Sequence, residues 1–94
     1  MPELRFEWDA RKSASTANKH KVTFEEARSA FADPNGRVID DPDHSEEEQR
    51  FILLGLSYAV RLLVVCHLFR SDVVRIISAR KATPREASTY RRNR

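Results

Sequence analysis

The stretch RLLVVCHLFRSDVVRIISAR, residues 61–80, decides the fold. Its first part, Leu62 to Leu68, is nearly all apolar and far shorter than the ~20 residues needed to span a bilayer. It reads as a central strand covered on both faces. Arg70-Ser71-Asp72 is short enough for a hairpin turn, and Val73 to Ala79 resumes a strand-like run. Strand alternation places Arg61, Leu63, Val65, His67 and Phe69 on one face. In the second run Arg75 and Ile77 share a face, whereas Arg80 would point to the other face of a regular strand. Arg75 and Arg80 serve one site only if that strand ends or bulges near Ser78-Ala79.

Working outward, Arg50 to Gly55 is a third strand, joined through Leu56 to Val60. Arg37 to Asp41 is a possible short strand before an acidic loop. At the N-terminus, Leu4 to Trp8 alternates apolar and polar residues as a half-buried strand does. Asp9 then caps a helix running to about His20. Its expected inner face is Ala10, Ala14 and Ala17, opposite a stripe of Lys12, Thr16, Lys19 and His20. Thr23-Phe24-Glu25-Glu26 is a capping box that opens a second helix burying Phe24, Ala27 and Phe31, which Asp33-Pro34-Asn35-Gly36 stops. Thr83-Pro84-Arg85-Glu86 is a second capping box, with proline at the first helical position of a short helix to about Arg92. The expected architecture is α+β: a single domain over residues 1–94, with an antiparallel sheet of about four strands, two N-terminal helices and a short C-terminal helix.

The 94 residues carry a net charge of +3, unevenly distributed. Six acids lie between Asp40 and Glu48, so the remainder carries +9; from Arg50 onward the net charge is +8, and nine of the ten basic residues there are arginine. Arginine's planar fork suits phosphate, so a polyanion partner is expected, with a solvated basic face as the alternative. One cysteine, Cys66, rules out an internal disulfide, and no Cys/His spacing is that of a zinc site. A reducing, cytoplasmic location is the expectation, with no membrane segment. There is no Gly-rich phosphate loop, nucleophile elbow or metal motif, and no cofactor is expected. His67, on an apolar strand, reads as a satisfied core histidine, and His44 as a loop residue among acids. His20 reads either as a general base or as a charge complementing the helix dipole.

Together these segments resemble the BrnT family. The first half of the resemblance is Phe6-x-Trp8-Asp9, Lys12, Asn18-x-His20, Val22-x-Phe24-x-Glu26-Ala27 and Phe31-x-Asp33-Pro34. The second half is Glu48-x-Arg50, Gly55-x-Ser57, Ile76-Ile77-Ser78-Ala79-Arg80-x-Ala82, Glu86 and Tyr90. The resemblance implies a RelE-like fold, a compact sheet with helices on one side, and a ribonuclease toxin of a type II toxin–antitoxin pair. It also implies a BrnA-like ribbon-helix-helix antitoxin and operator DNA contacted indirectly through that antitoxin. Two departures stand out: Lys21 where the family often has glycine, and Tyr58-Ala59-Val60 in place of smaller turn residues.

RNA carries its own nucleophile in the 2′-hydroxyl, so cleavage needs a proton acceptor and cations over the phosphate rather than a metal. The expected catalytic set is Arg50 and Arg80 as phosphate clamps with His20 or Glu48 as proton acceptor. Glu48 has an equal alternative as an ion-pair partner of Arg50. Lys12, Lys19, Arg61, Arg75, Lys81 and Tyr90 are the expected RNA-binding residues. The competing expectation is a non-catalytic nucleic-acid-binding or interaction domain derived from such a toxin.

Overall fold

In chain order the computed structural model has β1 (Arg5–Trp8), α1 (Ala10–His20), α2 (Phe24–Ser29), a 3-10 turn (Ala30–Ala32), β2 (Arg37–Asp40), β3 (Phe51–Leu56), β4 (Leu62–Arg70), β5 (Val73–Lys81) and α3 (Pro84–Arg92). The described residues are 4–41, 43 and 48–92; His44 therefore lies outside them. The sheet order is β1-β5-β4-β3-β2, so the apolar run of β4 takes the middle place its composition demands. Two features depart from the expected sheet: it has five strands, and it is mixed. β1 pairs in parallel with β5, Arg5 beside Val73 and Trp8 beside Ile76. Parallel partners need a long crossover, here nearly the whole chain, and local alternation carries no trace of them.

The inner face of the sheet holds the core. Leu53, Leu63, Val65, Ile76 and Ala79 pack against Val22, Phe24, Ala27 and Ala30, with Phe6, Trp8 and Phe31 at the margin. Gly55 is required there, since a Cβ would come within 2.8 Å of the Ala30 carbonyl oxygen. His67 is buried on the same face, its Nδ1 3.1 Å from the Val65 carbonyl and its ring among Phe31, Phe51 and Phe69. Burial depresses its pKa, which keeps it a neutral core residue. Not all helices lie on one side, however. Arg85, Glu86 and Thr89 of α3 meet Ile52, Leu54 and Val64, which alternate with the core residues and so belong to the outer face.

The helix caps form as the residues require, with one variation. Asp9 Oδ1 accepts from the backbone N–H groups of Arg11 and Lys12 (2.8 and 3.2 Å). At α3 both halves of the capping box close: Glu86 N–H donates to Thr83 Oγ1 (3.2 Å), and Thr83 N–H donates to Glu86 Oε1 (2.8 Å). At α2 Thr23 accepts from Glu26 N–H (3.0 Å), but the Glu26 carboxylate turns inward instead to Ser57 and Arg61. α1 also differs from expectation. Ala10 and Ala14 are exposed, and the half-buried stripe is Ser13, Thr16, Ala17 and His20. No residue of α1 is fully buried, so small size rather than apolarity sets its inward side. His20 consequently leaves the solvent stripe and turns toward the sheet.

Candidate functional site

The outer face gathers its cations through a bulge. Cys66 pairs with Ser78 but His67 pairs with Ile76, so Ile77 is the extra residue in β5. A bulge reverses the alternation beyond it. Arg75, beside Leu68, and Arg80, beside Val64, therefore share the outer face although five residues separate them. The sequence had made this the condition for a common site.

Next to the bulge lies a cleft of about 250 Å³ lined by His20, Asp41, Arg50, Ile52, Val64, Cys66 and Arg80, together with residues 77–79. Three of the expected catalytic residues thus converge from three places: the last residue of α1, the approach to β3, and the end of β5. Lys21 makes the first possible. It caps α1 in the left-handed conformation (φ 59°, ψ 32°), with its N–H donating to Ala17 O, so the turn after His20 is as sharp as a glycine would give. Arg80 is held by Glu86 through a two-pronged pair, Nη1–Oε1 and Nη2–Oε2 both 2.9 Å, and Nη1 also donates to Lys81 O. Three of the five guanidinium N–H groups are used in this way, which leaves Nε–H and one Nη2 hydrogen, the side-on fork that suits a phosphate. The same contact holds the Glu86 carboxyl far below its usual 4.5, at about 2.

Two ionisable residues of the cleft were not among the expected site residues. Asp41 is buried, and the Cys66 thiol lies 3.7 Å from its Oδ2. Burial and then the Asp41 charge push the Cys66 pKa up, so the thiol stays protonated. Asp41 had been placed at the end of the possible short strand from Arg37; β2 ends at Asp40, and Asp41 follows it with its N–H donating to Arg50 O (2.9 Å).

The other expected site residues lie elsewhere. Glu48 pairs with Arg70, not Arg50, through two bonds of 3.1 and 3.2 Å, both side chains being exposed. Arg61 is bound to the buried Glu26 carboxylate through Nε (2.9 Å) and Nη2, and to Lys21 O (2.9 Å). Ser57 completes that cluster, donating to Glu26 Oε2 at 2.7 Å. The Arg61 hydrogen bond lowers the Glu26 pKa in spite of the burial. Arg75 pairs with Glu7 of β1 (2.9 Å). Tyr90 is buried and donates its hydroxyl to Asp33 Oδ2 (2.5 Å), fastening α3 to the turn after the 3-10 helix. Lys12, Lys19 and Lys81 are exposed and outside the cleft lining. A larger shallow groove of about 530 Å³ beside Phe6 and Phe31 has Arg28 as its one cation, stacked 5.1 Å over the Phe6 ring.

A small basic α+β sheet with arginines and a histidine around an outer-face cleft defines a class suited to phosphodiester chemistry. Comparison with known proteins places the chain within it: the profile of the family described as "Ribonuclease toxin, BrnT, of type II toxin-antitoxin system" matches residues 8–86. The chain belongs to the BrnT family. Its fold is similar to the 1.1 Å crystal structure of the Brucella abortus ribonuclease toxin BrnT, with a TM-score of 0.63 and 17% identity, covering 86% of this chain and 99% of that one. No curated protein matches by sequence.

Proposed function

We propose that this protein is a metal-independent endoribonuclease that works in the cytoplasm as a toxin and is silenced by a BrnA-like ribbon-helix-helix antitoxin, through which it reaches operator DNA. The observation that carries the enzymatic reading is the convergence of His20, Arg50 and Arg80 on one cleft. His20 takes the proton of the 2′-hydroxyl as its oxygen bonds to phosphorus. The bond to the 5′-oxygen breaks, that oxygen takes a proton from water, and a 2′,3′-cyclic phosphate remains. Arg50 and the side-on fork of Arg80 meet the negative charge that builds on the phosphoryl oxygens. Glu48, engaged by Arg70 outside the cleft, is the weaker candidate for proton acceptor.

Incubating the purified chain with RNA in EDTA tests this. Cleavage to cyclic-phosphate or 3′-phosphate ends is expected. Cleavage that stops in EDTA and returns with magnesium would overturn the metal-free mechanism, and RNA binding without cleavage would favour the non-catalytic alternative.

A further inference from the structure

Beside the candidate cleft, and sharing Ile52 and Val64 with it, is a second hollow of about 260 Å³ between α3 and the outer face. Its floor is set by pairing register. Arg37 is opposite Leu54, Leu54 opposite Val64 and Val64 opposite Arg80, one row across four strands with two aliphatic residues between two arginines. Ile39 and Ile52 form the neighbouring row, and Arg85, Glu86 and Thr89 of α3 make the wall. Resting on the ribonuclease reading above, we infer that this hollow is a nucleobase subsite: it takes the base next to the scissile phosphate, and it prefers a base with an exocyclic amine.

Three observations converge on that ligand. The aliphatic floor offers a flat apolar surface of the kind against which splayed-out bases pack. Arginines at both ends of the row suit a ligand whose apolar base is tethered to phosphates on either side, and an apolar peptide would gain nothing from them. Glu86 supplies the amine preference. Its carboxylate lines this hollow, holds Arg80 through both oxygens, and stays ionised because that pairing keeps its pKa low. A carboxylate only accepts hydrogen bonds, and of its roughly four acceptor sites Arg80 and Thr83 use three, which leaves one on Oε2 that favours an exocyclic N–H over a base carbonyl.

The test uses short RNAs carrying one abasic position at each site around the cleaved bond, with the full chain as wild type, Thr89→Trp and Ile39→Ser. Thr89→Trp fills the hollow from α3; Ile39→Ser strips its rim at an exposed position of β2, where folding is least at stake. For wild type, removing the base at one flanking position is expected to lower kcat/KM by roughly tenfold, mainly through KM. Uracil at that position should fall between the intact and the abasic RNA, since it keeps the packing on the floor and lacks the exocyclic amine. Both variants should cleave intact RNA at a similarly reduced kcat/KM and become indifferent to the missing base. Wild type that cleaves every abasic RNA equally well overturns the subsite while leaving the ribonuclease reading standing. No cleavage of any RNA overturns both. Loss of antitoxin affinity in Thr89→Trp, with base removal immaterial in wild type, would assign the hollow to a protein and overturn the inference.

Discussion

At the residue scale two arginines show the difference between a cation spent inside the fold and one that lines the cleft. Arg61 serves a carboxylate that is almost wholly buried, so truncating it strands that charge. Arg61→Ala is expected to cost about 3 kcal/mol in urea unfolding, with cleavage per folded molecule unchanged. Arg80, at the bulge, keeps a fork free of Glu86. Arg80→Ala is expected to lower the cleavage rate by roughly 10²–10³, about 3–4 kcal/mol, while circular dichroism stays normal. A soluble, fully active Arg80→Ala protein would remove Arg80 from the site. Sequence alone assigned both arginines to RNA, since each lies in or beside a strand run rich in apolar residues. The partner of Arg61, Glu26, sits in a capping-box pattern that pointed to a helix end rather than to a buried ion pair.

Among the elements, α3 joins the two halves of the site. Its capping carboxylate Glu86 grips Arg80, and its Tyr90 is anchored by Asp33, which also accepts from Leu56 N–H. Because the Glu86 pKa is lowered in the folded state, its contribution to stability is complete above its ordinary value of 4.5 and fades as pH falls toward about 2. In Glu86→Gln that part of the acid sensitivity should vanish, and the neutral-pH protein should lose up to about 1 kcal/mol with the Arg80 ion pair, the capping box itself surviving. Denaturant midpoints measured from pH 7 to 2 check both; an unchanged acid limb would mean the pairing is not kept in solution. Most elements were legible from residue chemistry: Asp9, Thr23 and Thr83 each start the helix they announce, and the apolar Leu62–Leu68 run takes the sheet's centre. The parallel β1–β5 pairing was not, because it joins the two ends of the chain. Nor was the inward turn of His20, which depends on Lys21 adopting a positive φ that a lysine side chain does not advertise.

For the molecule as a whole, charge and topology bear on how the toxin is restrained. The sequence from Arg50 onward carries a net +8, and Arg37, Arg50, Arg80 and Arg85 line the two outer-face hollows. An antitoxin that covers this face with acidic groups would exclude RNA, associate quickly at low salt and stabilise a small core. Mutually exclusive binding is therefore expected: non-cleavable RNA titrated into the neutralised complex should displace the antitoxin or fail to bind. A ternary complex with undiminished RNA affinity would point to inhibition from a distance.

The pairing of β1 with β5 also sets a timetable. Arg5–Trp8 leaves the ribosome first, yet its hydrogen-bonding partner Val73–Lys81 is made near the end. At ~5–20 residues per second, β1 waits several seconds with Phe6 and Trp8 uncovered. The strand that then satisfies it carries Arg80. Completing the sheet also delivers Arg80 to the cleft, so on the proposed mechanism a nascent chain stalled before β5 is expected to be inactive.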